Sequence, residues 1–110
     1  MNAVNIGGRL TKDVELRTTA SGKSVASFTI AVKRPFAKEN EVQADFFPVV
    51  VWGKLAENCS TYLSQGWYVN VEGRLQTRSY ETSDGARRYV TEIVANRVDF
   101  VSAPKKTNVA

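Results

Sequence analysis

One stretch, ADFFPVVVWG at residues 44–53, constrains the fold of this chain more than any other. It is rich in β-branched and aromatic side chains, which are typical of a β-strand. Because successive side chains of a strand point to opposite faces, this strand has two apolar faces. They are Phe47, Val49 and Val51 on one side and Phe46, Val50 and Trp52 on the other. A strand that is apolar on both faces is either buried between two layers, or packed on one side and presenting aromatic rings to a ligand on the other.

Pro48 interrupts this strand, because proline has no N–H to donate to a ladder and predicts an edge position or a bulge. A bulge would change the faces of Phe46 and Phe47 relative to Trp52. Both phenylalanines are therefore candidates for the ligand-facing side.

The rest of the chain is predicted to be mostly strand, with one helix directly after Trp52. Alternating apolar residues predict strands at 4–10, 24–34, 45–52, 67–80 and 87–101, and residues 15–18 fit a kinked continuation of the first strand. The helix is predicted over 54–65, where Leu55, Cys59, Tyr62 and Leu63 share one apolar face and Gly66 takes the position after the last turn.

Three strands, one helix and two strands is the element order of an OB-fold, a five-stranded Greek-key barrel that binds oligomers across its strand face. We therefore predict an all-β OB-fold with the helix between strands 3 and 4. The alternative is an unrelated small β-sandwich with one crossover helix.

The length of 110 residues predicts one domain, which we place at 1–103 and follow with a short polar tail at 104–110. The formal net charge of +4 permits an anionic partner. A single cysteine, Cys59, suits a reducing compartment and a buried position. The chain has neither a signal-peptide pattern nor an apolar run of the ~20 residues that a membrane span needs, so we expect a cytoplasmic protein.

Composition argues against catalysis, since the chain has no histidine, no cysteine pair and no phosphate-binding glycine loop. Glu39, Glu41 and Asp45 offer carboxylates of the kind that bind Mg²⁺, but such runs are far more often solvated loops that balance nearby lysine and arginine. We predict no enzyme activity, no cofactor and no metal site.

Binding of single-stranded nucleic acid is the better prediction, because it needs aromatic faces that stack on bases and cations that contact phosphates. The candidate stacking residues are Phe36, Phe46 or Phe47, Trp52 and Tyr80. The candidate phosphate contacts are Arg9, Lys33, Arg34, Lys38, Lys54, Arg74, Arg78, Arg87 and Arg88. The opposing interpretation places Trp52 in the core, where large aromatic residues of strands usually lie.

Five segments also give the chain a resemblance to a known family. They are GRLTKD at 8–13, VELR at 14–17, WGKLAEN at 52–58, VEGRLQTRSYE at 71–81 and RYVTE at 88–92. With these segments the chain resembles the bacterial single-stranded DNA-binding protein family, up to about Ala103.

The resemblance implies an OB-fold that coats single-stranded DNA during replication, recombination and repair, without catalysis and usually as a homotetramer, in a bacterial or a phage member. By position, it places the family's stacking aromatics on Phe36, Phe46, Trp52 and Tyr80. It also implies that the protein works at the nucleoid or at replicating DNA.

The tail departs from the family, whose members commonly end in an acidic tip that recruits replication and repair proteins. Residues 104–110 read PKKTNVA, which suits either a shortened chain or a phage-type or accessory member that recruits partners differently. A second hypothesis follows, in which the chain is an OB-type interaction module of a replication-restart complex with weak nucleic-acid binding.

Overall fold

The computed structural model describes residues 1–105 and shows six strands and one helix within them. In chain order these are β1 (Val4–Leu10), β2 (Glu15–Thr18), β3 (Ser24–Lys33), β4 (Ala44–Trp52), α1 (Gly53–Tyr62), β5 (Tyr68–Glu81) and β6 (Arg87–Ser102). The strands form one sheet in the order β1-β5-β6-β4-β3-β2, and a further pairing between β1 and β3 closes it into a barrel. The predicted all-β OB-fold is confirmed.

Two details of that prediction are wrong, because the described residues form six strands and the helix lies between β4 and β5 rather than between strands 3 and 4. The cause is a break between β1 and β2, which both run antiparallel to β3. Leu10 lies opposite Ile30 and Glu15 lies opposite Ser27, so the four residues 11–14 stand opposite only two residues of β3. The surplus residues leave the ladder, and the kinked continuation becomes a strand of its own.

The barrel has a single core, to which the strands and the helix contribute buried apolar side chains. The buried residues are Leu10, Ala26, Phe28, Ile30, Val49, Val51, Val69, Val71, Ile93, Ala95 and Val98 from the strands, with Ala56, Cys59 and Leu63 from the helix and its C-terminal end. On β3 and β4 these residues alternate with more exposed ones, so the other face of the barrel wall is left outside.

Helix α1 is shorter than predicted and ends at Tyr62, where the backbone N–H of Leu63 closes the last turn on the carbonyl oxygen of Cys59. Gly66 therefore lies beyond the helix cap, with φ of +93° in the loop that leads into β5. Burial raises the pKa of the Cys59 thiol to about 11. The thiol is therefore protonated at neutral pH and serves as a small buried apolar group, as predicted.

The β5–β6 hairpin extends past the barrel. Residues 74–81 of β5 lie beyond the last β1 pairing, at Gly73, and residues 87–92 of β6 lie before the first β4 pairing, at Ile93. We call these two segments the hairpin arm. The strands change register at Gly73, where a Cβ atom would overlap the carbonyl oxygen of Val94. Glycine therefore permits the close approach of β6 at the base of the arm.

Candidate nucleic-acid interface

The two faces of β4 differ sharply in exposure. Val49 and Val51 are fully buried, whereas the outward side chains of Phe46 and Trp52 are 63% and 48% exposed. Phe47 points inward and packs against the core. The predicted alternation is confirmed, and Trp52 does not belong to the core.

Pro48 leaves this alternation intact. The register between β3 and β4 runs without a shift from Val25 opposite Trp52 to Lys33 opposite Ala44, so the strand has no bulge. On its other side β4 pairs with β6 only at Val49 and Val50. Pro48 therefore occupies an edge-like position, where its missing N–H costs no ladder bond.

The outer face of β4 forms the floor of a groove of about 720 Å³. Two rows of side chains cross it from β2 through β3 to β4, in register with one another. They are Arg17, Val25 and Trp52 in one row and Glu15, Ser27 and Val50 in the next. Lys12 and Asp13 line the same groove. The floor is thus a mixture of apolar and charged groups, with an exposed indole at one end.

The opposite wall of the groove is the base of the hairpin arm. One face of the arm carries Arg74, Gln76, Arg78 and Tyr80 from β5, with Arg88, Val90 and Glu92 beside them on β6. Of these, Gln76, Arg78, Val90 and Glu92 line the groove. Tyr80 lies farther out on this face and is 46% exposed. The structure therefore brings Phe46, Trp52 and Arg78 to one groove. Arg74, Tyr80 and Arg88 lie outside the groove, on the same face of the arm as Arg78.

The arginines of this wall are held by neighbouring side chains. Arg78 donates from Nε to Oε1 of Glu92 at 2.8 Å, and Arg74 donates from Nη1 to Oε1 of Gln76 at 3.3 Å. Gln76 and Glu92 lie directly opposite each other on β5 and β6. Both arginines therefore lean along the arm over the same cross-strand pair.

A second hollow, of about 430 Å³, lies on the outer face beside Phe46 and contains Arg9, Lys33 and Tyr68. The guanidinium of Arg9 sits 5.5 Å from the centre of the Tyr68 ring and donates to the carbonyl oxygen of Gly66 at 2.9 Å. Arg9 and Phe46 are both paired with Ala31, one on each side of β3. The hollow and the groove thus belong to one continuous outer surface.

The loop between β3 and β4 carries the remaining aromatic candidate, Phe36, whose side chain is fully exposed. Its φ of +64° is rare for a residue with a Cβ and strains the backbone at this position. At the base of this loop Arg34 holds Asp45 with two hydrogen bonds, of 3.0 and 2.7 Å. The Arg34 guanidinium lowers the pKa of Asp45 through these bonds. Lys38 is exposed in the same loop.

Three predicted residues lie elsewhere. Phe47 faces the core, and Lys54 is exposed in the first turn of α1, two residues after Trp52. Arg87 lies on the other face of the arm, where it donates to Ser79 at 3.0 Å and to Glu81 at 3.4 Å. Its neighbour Arg88 is opposite Tyr80 on the groove side.

Sequence reasoning missed Lys12 and Arg17, which line the groove. The missed signal was the alternation of Glu15 and Arg17, which is visible only when residues 15–18 are treated as a strand with its own register along β3.

Among residues 1–105, no group of three or more acidic, cysteine or histidine side chains is placed to hold a metal ion. In the same part of the chain, every helix is too short or too polar to cross a membrane. Of the three carboxylates considered for Mg²⁺, Asp45 is engaged by Arg34.

Comparison with known proteins gives a consistent result. The model of the single-strand binding protein family matches residues 1–101. Single-stranded DNA-binding protein 3 of Clostridium acetobutylicum is 55% identical over 109 residues, which cover 98% of this chain and 76% of that protein. The single-stranded DNA-binding proteins of Clostridium tetani and Staphylococcus aureus strain MRSA252 are 54% and 51% identical, over 92% and 98% of this chain and 70% and 69% of their own lengths. The family match begins before β1 and reaches into β6.

Proposed function

The chain belongs to the single-strand binding protein family, and from this premise we propose that it binds single-stranded DNA without sequence specificity. Bases stack on exposed aromatic rings, and lysine and arginine side chains contact the phosphates. The observation that carries the proposal is the outer face of β4, where Phe46 and Trp52 stay exposed beside Arg78. Large exposed aromatic residues above a buried core are characteristic of a binding surface.

Four aromatic rings make up the proposed stacking set: Phe36, Phe46, Trp52 and Tyr80. Every base has a π-face, so stacking on these rings tolerates any sequence. Phe47 is left out because it packs against the core. The strand we propose runs along the outer surface from the β3–β4 loop, over β4, to the hairpin arm.

The proposed phosphate contacts are the cations that border this surface. They are Arg74, Arg78 and Arg88 on the arm, Lys12 and Arg17 in the groove, and Arg9 and Lys33 in the second hollow, together with the exposed Lys38 of the β3–β4 loop and Lys54 of the first turn of α1. Arg34 is a weaker candidate since Asp45 already engages two of its nitrogens. Each phosphate neutralised releases counterions, so binding is expected to weaken as salt rises.

The role that fits this chemistry is non-catalytic protection of single strands during replication, recombination and repair, at the nucleoid. We assign the binding activity to residues 1–103. Of the proposed tail, 104–110, residues 106–110 lie outside the described part of the chain.

We also propose a homotetramer, as in the family. Tyr62 and Val101 are exposed and Trp67 and Phe100 are half-buried, which leaves apolar surface that one small barrel does not bury. Light scattering at micromolar concentration is expected to give about four times the chain mass of 12.2 kDa, and a monomer would contradict the proposal.

The test of function compares labelled oligo(dT) with a hairpin duplex of equal nucleotide content, by fluorescence anisotropy in the same salt. Bases inside a duplex are unavailable for stacking, so we expect tight binding of oligo(dT) and weak binding of the duplex. Equal affinities would contradict the stacking mechanism. Weak binding of both would favour the alternative of an interaction module.

A further inference from the structure

The groove that we propose for an anionic strand contains a buried anion. Glu92 is only 4% exposed, and the carboxylate stands in the groove wall beside Arg78 and Gln76. A carboxylate repels phosphates and is costly to bury unless it is paired. Its presence at this place therefore needs a reason that outweighs its repulsion of the ligand.

The reason lies in the geometry of its pair with Arg78. The carboxylate accepts from Nε of Arg78 at 2.8 Å, and the side chain of Arg78 is 55% exposed whereas that of Glu92 is 5% exposed. The exposed guanidinium is thus paired with a carboxylate that is almost shielded from solvent, and both residues line the groove. Within residues 1–105, the other two nitrogens of Arg78 have no protein acceptor.

We propose that Glu92 is a positioning residue for the single strand: it fixes the plane of the Arg78 guanidinium through Nε and leaves both terminal nitrogens directed at a phosphate. This inference rests on the proposed function. A guanidinium is a rigid planar fork, so one bond at Nε sets the direction of its remaining donors. Because Arg78 is already ordered, less conformational freedom is lost when the strand binds.

A second arginine–carboxylate pair, Arg34 with Asp45 at the base of the β3–β4 loop, shows what this arrangement avoids. Arg34 grips Asp45 with both Nε and Nη2, and both side chains are about half exposed. That pair consumes one whole edge of the guanidinium and ties the base of a loop. Glu92 instead takes only Nε, which leaves both terminal nitrogens of Arg78 for a ligand.

The proposal predicts an unusual sign: removal of a negative charge from the groove weakens binding to a polyanion. The test uses Glu92→Met, which has similar length but no acceptor oxygen, and Glu92→Gln, which keeps an acceptor for Nε. Glu81→Gln is the charge control, since Glu81 is exposed on the other face of the arm. For each protein the affinity for oligo(dT) is measured over a range of salt, together with the melting temperature.

We expect Glu92→Met to bind oligo(dT) about tenfold more weakly than the parent, which is the order of one charge-assisted hydrogen bond. The slope of log affinity against log salt is expected to become shallower by about 0.7, the value of one phosphate contact on single strands. Glu92→Gln is expected to bind as the parent does or more tightly, and Glu81→Gln slightly more tightly. In a double-mutant cycle, Arg78→Ala is expected to lower affinity in the parent and to have little further effect in Glu92→Met.

Tighter binding by Glu92→Met than by the parent, or an undiminished effect of Arg78→Ala in its background, would overturn the positioning role. If Glu92→Met fails to fold, Arg78→Ala is instead introduced into Glu92→Gln. Because the glutamine of that variant still accepts from Nε, the positioning role requires Arg78→Ala to cost as much affinity in this background as it does in the parent. A parent protein that does not bind oligo(dT) would instead contradict the proposed function itself.

Discussion

Strand β4 has two sides that are both apolar in sequence and that differ sharply in burial. On the inner side Val49 and Val51 are buried almost completely, as is the neighbouring Ile93 of β6, and on the outer side Phe46 and Trp52 remain about half exposed or more. Hydrophobicity along one strand therefore divides between folding and, in our proposal, binding. The inner set excludes water permanently, while the outer set has apolar surface that a base can cover.

The inner side should respond most strongly to truncation. Ile93→Ala removes a buried side chain packed beside Val49 in the parallel β4–β6 pairing, and we expect a loss of about 2–5 kcal/mol in the free energy of unfolding. Affinity for oligo(dT), measured where the variant is still folded, is expected to stay at the parent value. A stable Ile93→Ala with weakened binding would reverse the division between the two sides.

The outer side should show the opposite pattern. Trp52→Ala is expected to weaken oligo(dT) binding by about 1–3 kcal/mol, the value of one base stacked on an aromatic ring. The melting temperature should change little, because an exposed ring leaves no cavity. Tyr80→Ala, on the same surface but away from the core, is the matched control and is expected to behave likewise. If both variants keep full affinity, stacking on this surface is not how the chain binds.

The two faces of the hairpin arm sharpen the comparison with charges. Arg74→Ala and Arg87→Ala each remove one arginine, from the groove face and from the opposite face respectively. We expect Arg74→Ala to reduce the slope of log affinity against log salt by about 0.7 and Arg87→Ala to leave it nearly unchanged. Equal changes in slope would mean that the strand contacts both faces of the arm.

The smallest effect is expected at the start of β4, where Arg34 lowers the pKa of Asp45. A carboxylate whose pKa is lower in the folded state contributes stability above its ordinary pKa of 3.8, and that contribution is lost as pH falls through the folded value. Asp45→Asn should therefore be slightly less stable than the parent at pH 7 and equal to it once both proteins are compared well below pH 3.8. Urea unfolding at the two pH values measures this, and a difference that persists in acid would assign the effect to packing.

The sequence predicts the faces of β4 well, because a period of two is a local property and Pro48 sits where it costs no ladder bond. It predicts β2 poorly, because the break at 11–14 depends on pairing with β3, which is distant in the chain. The same limit separates Arg87 from Arg88: the register of β6 on β5 decides which of the two faces the groove.

Glu92 is the clearest case of what local pattern leaves out. In sequence it is one polar residue in a strand, beside Thr91 and before the buried Ile93. It is almost fully buried in the structure, opposite Gln76 and paired with the Arg78 side chain. A contact between side chains of different strands cannot be predicted from composition or from the alternation of residues along one strand.

The most direct test of the proposed stacking on β4 uses the fluorescence of its own tryptophan. The chain has two tryptophans, and Trp67 packs edge-on against Phe100 at 6.3 Å, whereas Trp52 lies on the outer face of β4. Trp67→Phe leaves Trp52 as the sole tryptophan, and Trp52→Phe leaves Trp67. Titration of Trp67→Phe with oligo(dT) is expected to quench its emission strongly to a saturating endpoint, while Trp52→Phe responds weakly in the same titration. Binding of oligo(dT) to Trp67→Phe, seen by anisotropy of a labelled strand, with no change in Trp52 emission would contradict the account.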